Sequence, residues 1–126
     1  MSAFAVIRGV HISPRKVGVV AALVRDRSAA DAIVILEHTP RRSAAAVKEA
    51  IKSAVANAEH NHGYKPDTLV ISEINVTPGP RFKRFRPAAR GRALPYQKKT
   101  SHIRVVVDGE VRTSKKAPKT EVKETE

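Results

Sequence analysis

Arg81, Lys83, Arg84, Arg86, Arg90, Arg92, Lys98 and Lys99 are crowded into one stretch, RFKRFRPAARGRALPYQKK, that holds no Asp or Glu. Phe82, Phe85 and Tyr96 are interleaved with these cations. Without a carboxylate the stretch has neither a ligand for a catalytic metal nor a carboxylate base. It can neutralise phosphates. Arg supplies planar, two-pronged contacts, and the aromatic rings supply faces on which bases stack. Gly91 lets the backbone approach a ligand closely, while Pro87 and Pro95 stiffen the chain around it. Arg104 extends the cationic series beyond the stretch.

The other candidate groups are weaker. Arg15 and Lys16 follow Ser13-Pro14, in what reads as the first turn of a helix, where a cation opposes the helix dipole. That placement suits a helix start turned toward a phosphate. Glu59, His60 and His62 stand together in EHNH, but residues two apart do not share a helix face. The group reads as a polar helix end and not as a metal site. His11, His38 and His102 have no acid beside them, Ser13 reads as a cap, and no phosphate-cradling glycine loop is present. Absence of cysteine excludes a disulfide framework and Cys-ligated metals. These residues point to no enzyme, no cofactor, no metal and no small-molecule substrate.

The charge is concentrated. Of 24 basic and 12 acidic side chains, nine cations and no acid lie between Glu73 and Asp108. A nearly neutral remainder therefore carries one cationic segment, which implies a polyanionic partner, nucleic acid before membrane. The N-terminus lacks a basic region followed by a long apolar run, so no secretory signal is expected. The most apolar stretch, Val17 to Val24, is too short to span a bilayer. A soluble, cytoplasmic protein is expected, and the length of 126 residues suits one domain.

The elements that must hold the cationic segment are legible in the periodicity. Ala5 to Ile12 reads as a strand. Ser13 and Pro14 open a helix with Val17, Val20, Ala21 and Val24 on one face. Ser28 and Asp31 form a capping-box-like pair before a second helix with Ala32, Ile33 and Leu36 apolar. Thr39-Pro40 repeats the cap-then-proline signal. The following helix has Val47, Ala50, Ile51, Ala54, Val55 and Ala58 on one face, and Gly63 ends it. Leu69 to Val76 and Ser101 to Val107 read as strands, with Asp108-Gly109 ending the second. The intervening residues, about 77–100, then form a hairpin with arms of about twelve residues, able to project ~40 Å at ~3.3 Å per residue. An isolated two-stranded ribbon is marginal in water, and this one repels itself, so it is expected to order inside a polyanion. One domain over 1–111, including the hairpin, and a disordered polar tail over 112–126 complete the reading. An architectural DNA-binding protein with basic β-ribbon arms would share these features, though that class usually requires a symmetric dimer.

Several blocks together resemble the bacterial large-subunit ribosomal protein L twenty-two family: SPRK at Ser13 to Lys16, SAVANAEHN at Ser53 to Asn61, Gly79-Pro80, GRA at Gly91 to Ala93, and TSHI at Thr100 to Ile103. Their order and spacing match from about Ala5 to Asp108. The resemblance implies an α+β fold with three helices packed on a small three-stranded antiparallel sheet, from which a long β-hairpin protrudes. It implies a body at the outer face of the large subunit near the peptide exit, and arms threaded through ribosomal RNA. It also implies a role in assembly, and neighbouring ribosomal proteins at the exit tunnel as partners. By matched position, the tip that lines the tunnel and meets the nascent peptide is Phe82 to Ala93, with Phe82, Lys83, Arg84, Ala88, Arg90, Gly91, Arg92 and Ala93 at the wall. Family members usually carry Arg just after the tip proline. Ala88 stands there instead, so no phosphate contact is carried over to this position, and Arg90 and Arg92 are left to serve the wall.

Overall fold

A computed structural model describes residues 3–110. The tail expected to be disordered lies outside the described residues. Along the chain run strand β1 (Ala3–Val10), helices α1 (Pro14–Val24), α2 (Ala29–Glu37) and α3 (Arg42–Asn61), and strands β2 (Val70–Pro87) and β3 (Ala93–Asp108). The strands form one antiparallel sheet in the order β1-β3-β2. This is the expected α+β architecture.

The helices cover one face of the sheet. α3 packs on β1 and β3, α1 on β2 and α3, and α2 on α3. Ile103, Val105 and Val107 alternate along β3, pointing into the helices, and Ala3, Ala5, Ile71 and Ile74 complete that face. α1 buries Val17, Val20, Ala21 and Val24, as its spacing predicts. α3 offers Ala44, Val47, Ala50, Ile51, Ala54 and Ala58, and these small side chains let the backbone lie close to the sheet. Val55 and Ile33, expected on the apolar faces, are only partly buried. Among the described residues no helix is long and apolar enough to cross a membrane.

The helix ends follow local chemistry, with two departures from the sequence reading. Ser28 caps α2 as expected, its hydroxyl accepting from the Asp31 amide at 3.2 Å. Ser13 occupies the N-cap of α1, but its side chain makes no capping bond. Thr39 does not cap α3. Its hydroxyl donates to the Ile35 carbonyl at 2.7 Å and so finishes α2, while α3 starts at Arg42 with Arg41 as N-cap. Gly63 adopts φ +70, the left-handed conformation glycine tolerates without strain, and turns the chain after α3. Tyr64 then plunges into the core, 2% exposed.

Candidate nucleic-acid interface

From Thr77 to Pro87 the outgoing arm spans about 35 Å at ~3.3 Å per residue. Its pairing with the returning arm is continuous from Arg81↔Lys99 to Pro87↔Ala93. Residues directly opposite share a face. One face therefore carries Arg81 with Lys99, Lys83 with Gln97, and Phe85 with Pro95. The other carries Phe82 with Lys98, Arg84 with Tyr96, and Arg86 with Leu94. On this second face the Arg84 guanidinium lies 5.9 Å from the Phe82 ring centre, and Arg86 lies 5.2 Å from that of Tyr96. An antiparallel sheet ordinarily buries one face and solvates the other. Here both faces are open, and both carry cations and rings: Phe85 is 70% exposed and Phe82 40%. Arg81 directly faces Lys99, an opposition that costs stability. The ion pairs among the described residues join Lys48 to Glu37, Lys65 to Glu110 and Arg104 to Glu73, so no arm cation between Arg81 and Lys99 is neutralised by a carboxylate.

The bend is short. The Ala88 amide donates to the Arg92 carbonyl at 2.7 Å, and Arg92 N donates to Ala89 O at 3.4 Å. Between them Arg90 (φ 62, ψ 36) and Gly91 (φ +72) are both left-handed. Of the residues expected at the tip, Ala88, Arg90, Gly91 and Arg92 are at the bend, and Ala93 pairs with Pro87 at the end of the ladder. Phe82, Lys83 and Arg84 are on the paired arm, opposite Lys98, Gln97 and Tyr96.

The root of the hairpin is bulged on both sides of Ser101-His102. One extra residue of β1 is accommodated between Ile7 and Val10, and one of β2 between Pro78 and Arg81. Gly9, at φ +73, occupies the first bulge and donates its amide to His102 Nδ1 at 3.1 Å. Gly79 occupies the second, where a Cβ would lie 2.6 Å from Thr100 Oγ1 and 3.1 Å from the His102 ring. Such bulges sharpen the local twist and re-aim a strand. They lie where the sheet leaves its helices.

Beside this root is a cleft of about 830 Å³, walled by His11 and Lys16 from the start of α1, Arg41 and Arg42 from the start of α3, and Lys98 and Lys99 from the hairpin. No acid lines it. Ser43, Thr100 and Ser101 are the buried polar residues among those described; Ser43 joins the starts of α3 and α1, Ser101 joins β3 to the segment before α1, and Thr100 joins the two hairpin strands. Ser43 donates to Lys16 O at 3.4 Å, Ser101 to Ile12 O at 3.0 Å, and Thr100 to Pro80 O at 2.7 Å.

The structure thus gathers Lys16, Lys98 and Lys99 at one place and strings the remaining hairpin cations outward. Arg15 is exposed on α1 and is not part of the cleft wall. Arg104 is set apart: it pairs with Glu73 at 3.8 Å and stacks 5.1 Å over Phe4 on the open side of the sheet. Arg41 and Arg42 are missed by reading the sequence, although a signal exists. Pro40-Arg41-Arg42 repeats the pattern of Pro14-Arg15-Lys16, with cations where a helix start disfavours them. His62 lies 6.1 Å from Tyr64, ring to ring, and His60 is exposed.

Compared with known protein families, residues 5–108 match Ribosomal protein L22p/L17e. The match spans the body, both hairpin arms and the bend. The chain therefore belongs to the Ribosomal protein L22p/L17e family, whose members are structural proteins of the large ribosomal subunit.

Proposed function

We propose that the chain is held in the large subunit by ribosomal RNA packed against both faces of its hairpin, and that the bend borders the nascent-peptide exit tunnel. The observation that carries this is the two-sided ribbon: cations and rings on both faces, no internal counter-charge on the arms, and no core beneath them. Arg81, Lys83, Arg84, Arg86, Lys98 and Lys99 neutralise phosphates, while Phe82, Phe85 and Tyr96 stack on unpaired bases. Arg15 supplies a further body contact. Arg90, Gly91, Arg92 and Ala93 are left for the tunnel wall and the emerging peptide. Threading of the arms also ties RNA segments together, which is the proposed contribution to assembly, and brings the bend beside neighbouring ribosomal proteins in the cytoplasmic ribosome. Membership of a ribosomal family favours RNA over the DNA-bending alternative.

The test is salt-dependent binding to large-subunit RNA. If all nine cations between Glu73 and Asp108 met phosphates, the logarithmic salt slope from this segment would be roughly −6 to −8, at ~0.7–0.9 per phosphate. Replacing Arg84 and Arg86 by Ala is expected to make it shallower by about 1.5 and to leave thermal unfolding unchanged. An unaltered slope would show that these side chains meet no phosphate. In cells, the chain is expected to stay with large subunits through a high-salt wash.

A further inference from the structure

We propose that the outer edge of β1 is a strand-docking groove, and that residues 120–126 of the same chain occupy it as a fourth strand, parallel to β1. The inference concerns neither the hairpin nor its root and stands apart from the RNA-binding reading. β1 lies at the margin of the sheet, with β3 as its partner. Asn57 Nδ2 donates to Phe4 O at 2.9 Å, so the peptide groups of Phe4 point away from β3. By the two-residue period of a strand, those of Val6 and Arg8 point the same way. The Gly9 amide is out of phase with them and points back to His102 of β3, as this requires. Among the described residues, the outward peptide groups of Val6 and Arg8 have no hydrogen-bond partner. An open edge of this kind is a template for another strand. The groove beside it measures about 470 Å³, with Phe4, Val6 and Arg8 on one side and Asn57, Asn61 and His62 on the other. Asn57 and Asn61 are four apart, on one face of α3. Each carboxamide offers a donor and an acceptor, the pair that a peptide backbone needs. No acid lines the groove, and the exposed Arg8 makes no ion pair among the described residues. The site suits an extended, acidic segment.

Position, length and charge select the end of this chain as the occupant. Glu110 is pinned beside the groove: its amide donates to Thr68 Oγ1 at 2.9 Å, and its carbonyl accepts from the Lys65 amide at 2.8 Å. Lys65 follows His62 of the groove wall by three residues, at most ~11 Å away. Residues 111–126 reach ~50 Å when extended, well past the far end of the groove at Arg8. Their charge is divided. Arg112, Lys115, Lys116 and Lys119 come first, whereas Glu121, Glu124 and Glu126 come last, with Lys123 among them. The cationic part serves as tether and the acidic part matches the groove. Ala3 pairs with Val107, so the start of β1 lies beside the end of β3, and a segment running from there along the groove is parallel to β1. Side-chain matching sets the register. Val122 beside Val6 places Glu124 beside Arg8 on the same face, because each pair is two residues apart. The Lys123 amide then donates to Val6 O. A segment without a core of its own suffices, since main-chain bonds supply the affinity and the tether gives an effective concentration of about millimolar. Docking closes the edge to strands of other molecules.

The test uses the full chain without RNA, so its failure leaves the RNA-binding reading untouched. Amide exchange at Val6 and Arg8 is compared between the native chain and Lys123→Pro, which removes the donor to Val6 O and lies outside the body. The native chain is expected to protect the Val6 amide about tenfold more than the variant does, with Val47 to Ala58 equal in both. In a charge cycle, Arg8→Glu is expected to abolish this protection, and Arg8→Glu combined with Glu124→Arg to restore it. Because the chain has no cysteine, a nitroxide attached to Thr125→Cys reports where the segment lies. Amide signals of Arg8 and Asn61 should broaden at every protein concentration. Equal protection of Val6 in the native chain and in Lys123→Pro would overturn the docking. Broadening of unlabelled chains mixed with labelled ones would assign the groove to a second copy and overturn it likewise.

Discussion

Strand β3 contains two different regimes within one ladder. Between Ser101 and Val107 alternate side chains are buried under helices, whereas every residue from Ala93 to Lys99 is exposed. Backbone pairing with β2 runs through both halves. The hydrogen-bond ladder is therefore common to body and hairpin, and what separates them is the covering layer. In the body that layer is the Ala- and Val-rich faces of α1 and α3. In the hairpin it has to come from outside. Continuous pairing is thus no sign of equal stability, because a hydrogen bond adds little net free energy where water competes for both partners.

The sharpest contrast is expected in amide exchange of the free protein. Amides from Val47 to Ala58 should exchange only when the whole body opens, which costs about 5 kcal/mol or more. Those from Phe82 to Lys99 should exchange through local opening, at least ~1000-fold faster by the same arithmetic. Comparable protection at the hairpin would break the contrast and show that the ribbon is stable without a partner.

Side-chain truncation probes the same difference at smaller scale. Ile51 is fully buried, and Ile51→Ala is expected to lower stability by about 2–5 kcal/mol in urea unfolding. Phe85, though larger, is mostly exposed, and Phe85→Ala should change stability by about 0.5 kcal/mol or less while weakening RNA binding. A large stability loss from Phe85→Ala would mean that the ribbon has a hidden packing partner.

The smallest effect is expected at the bend. Arg90 holds a left-handed conformation that disfavours a side chain. Arg90→Gly should relax it by about 1 kcal/mol at most, detectable as slower exchange at the Ala88 amide once RNA is bound. Because the bend is assigned to the tunnel wall, RNA affinity should fall much less than in the Arg84→Ala, Arg86→Ala pair. An equal fall would move Arg90 into the RNA contact.

What could be read in the sequence was local. The stripe from Val47 to Ala58, the Ser28–Asp31 cap and the carboxylate-free run each depend on neighbours within a few residues, and each is found as expected except that Val55 is only partly buried. The bulges at Gly9 and Gly79 are matters of register between strands. No window on one strand contains its partner, so a glycine there looks like any other. Matched blocks gave the tunnel-lining tip as Phe82 to Ala93; where the bend itself falls, at residues 88–92, follows from the register that pairs Phe82, Lys83 and Arg84 with residues opposite. Thr39-Pro40 resembled a cap and instead closes the preceding helix, since either role suits a hydroxyl beside a proline. Arg41 and Arg42 join Lys98 and Lys99 only through packing of α3 beside the hairpin root. Burial of Tyr64 likewise depends on the turn at Gly63, which aims its ring inward.

The sheet order β1-β3-β2 imposes a schedule on folding. Ala3, at the start of the first strand, pairs with Val107, near the end of the last. β1 and β2 both bond to β3, so neither has its partner until β3 has been synthesised. At typical elongation speeds of ~5–20 residues per second, β1 waits about 5–20 s. During that interval the helices have their apolar faces but no completed sheet to lie on. The body is consequently a slow, late-closing topology for its size, exposed to chaperones and to wrong partners until its last strand arrives. A chain interrupted before β3 loses the central strand and with it the whole sheet, rather than one arm of the hairpin.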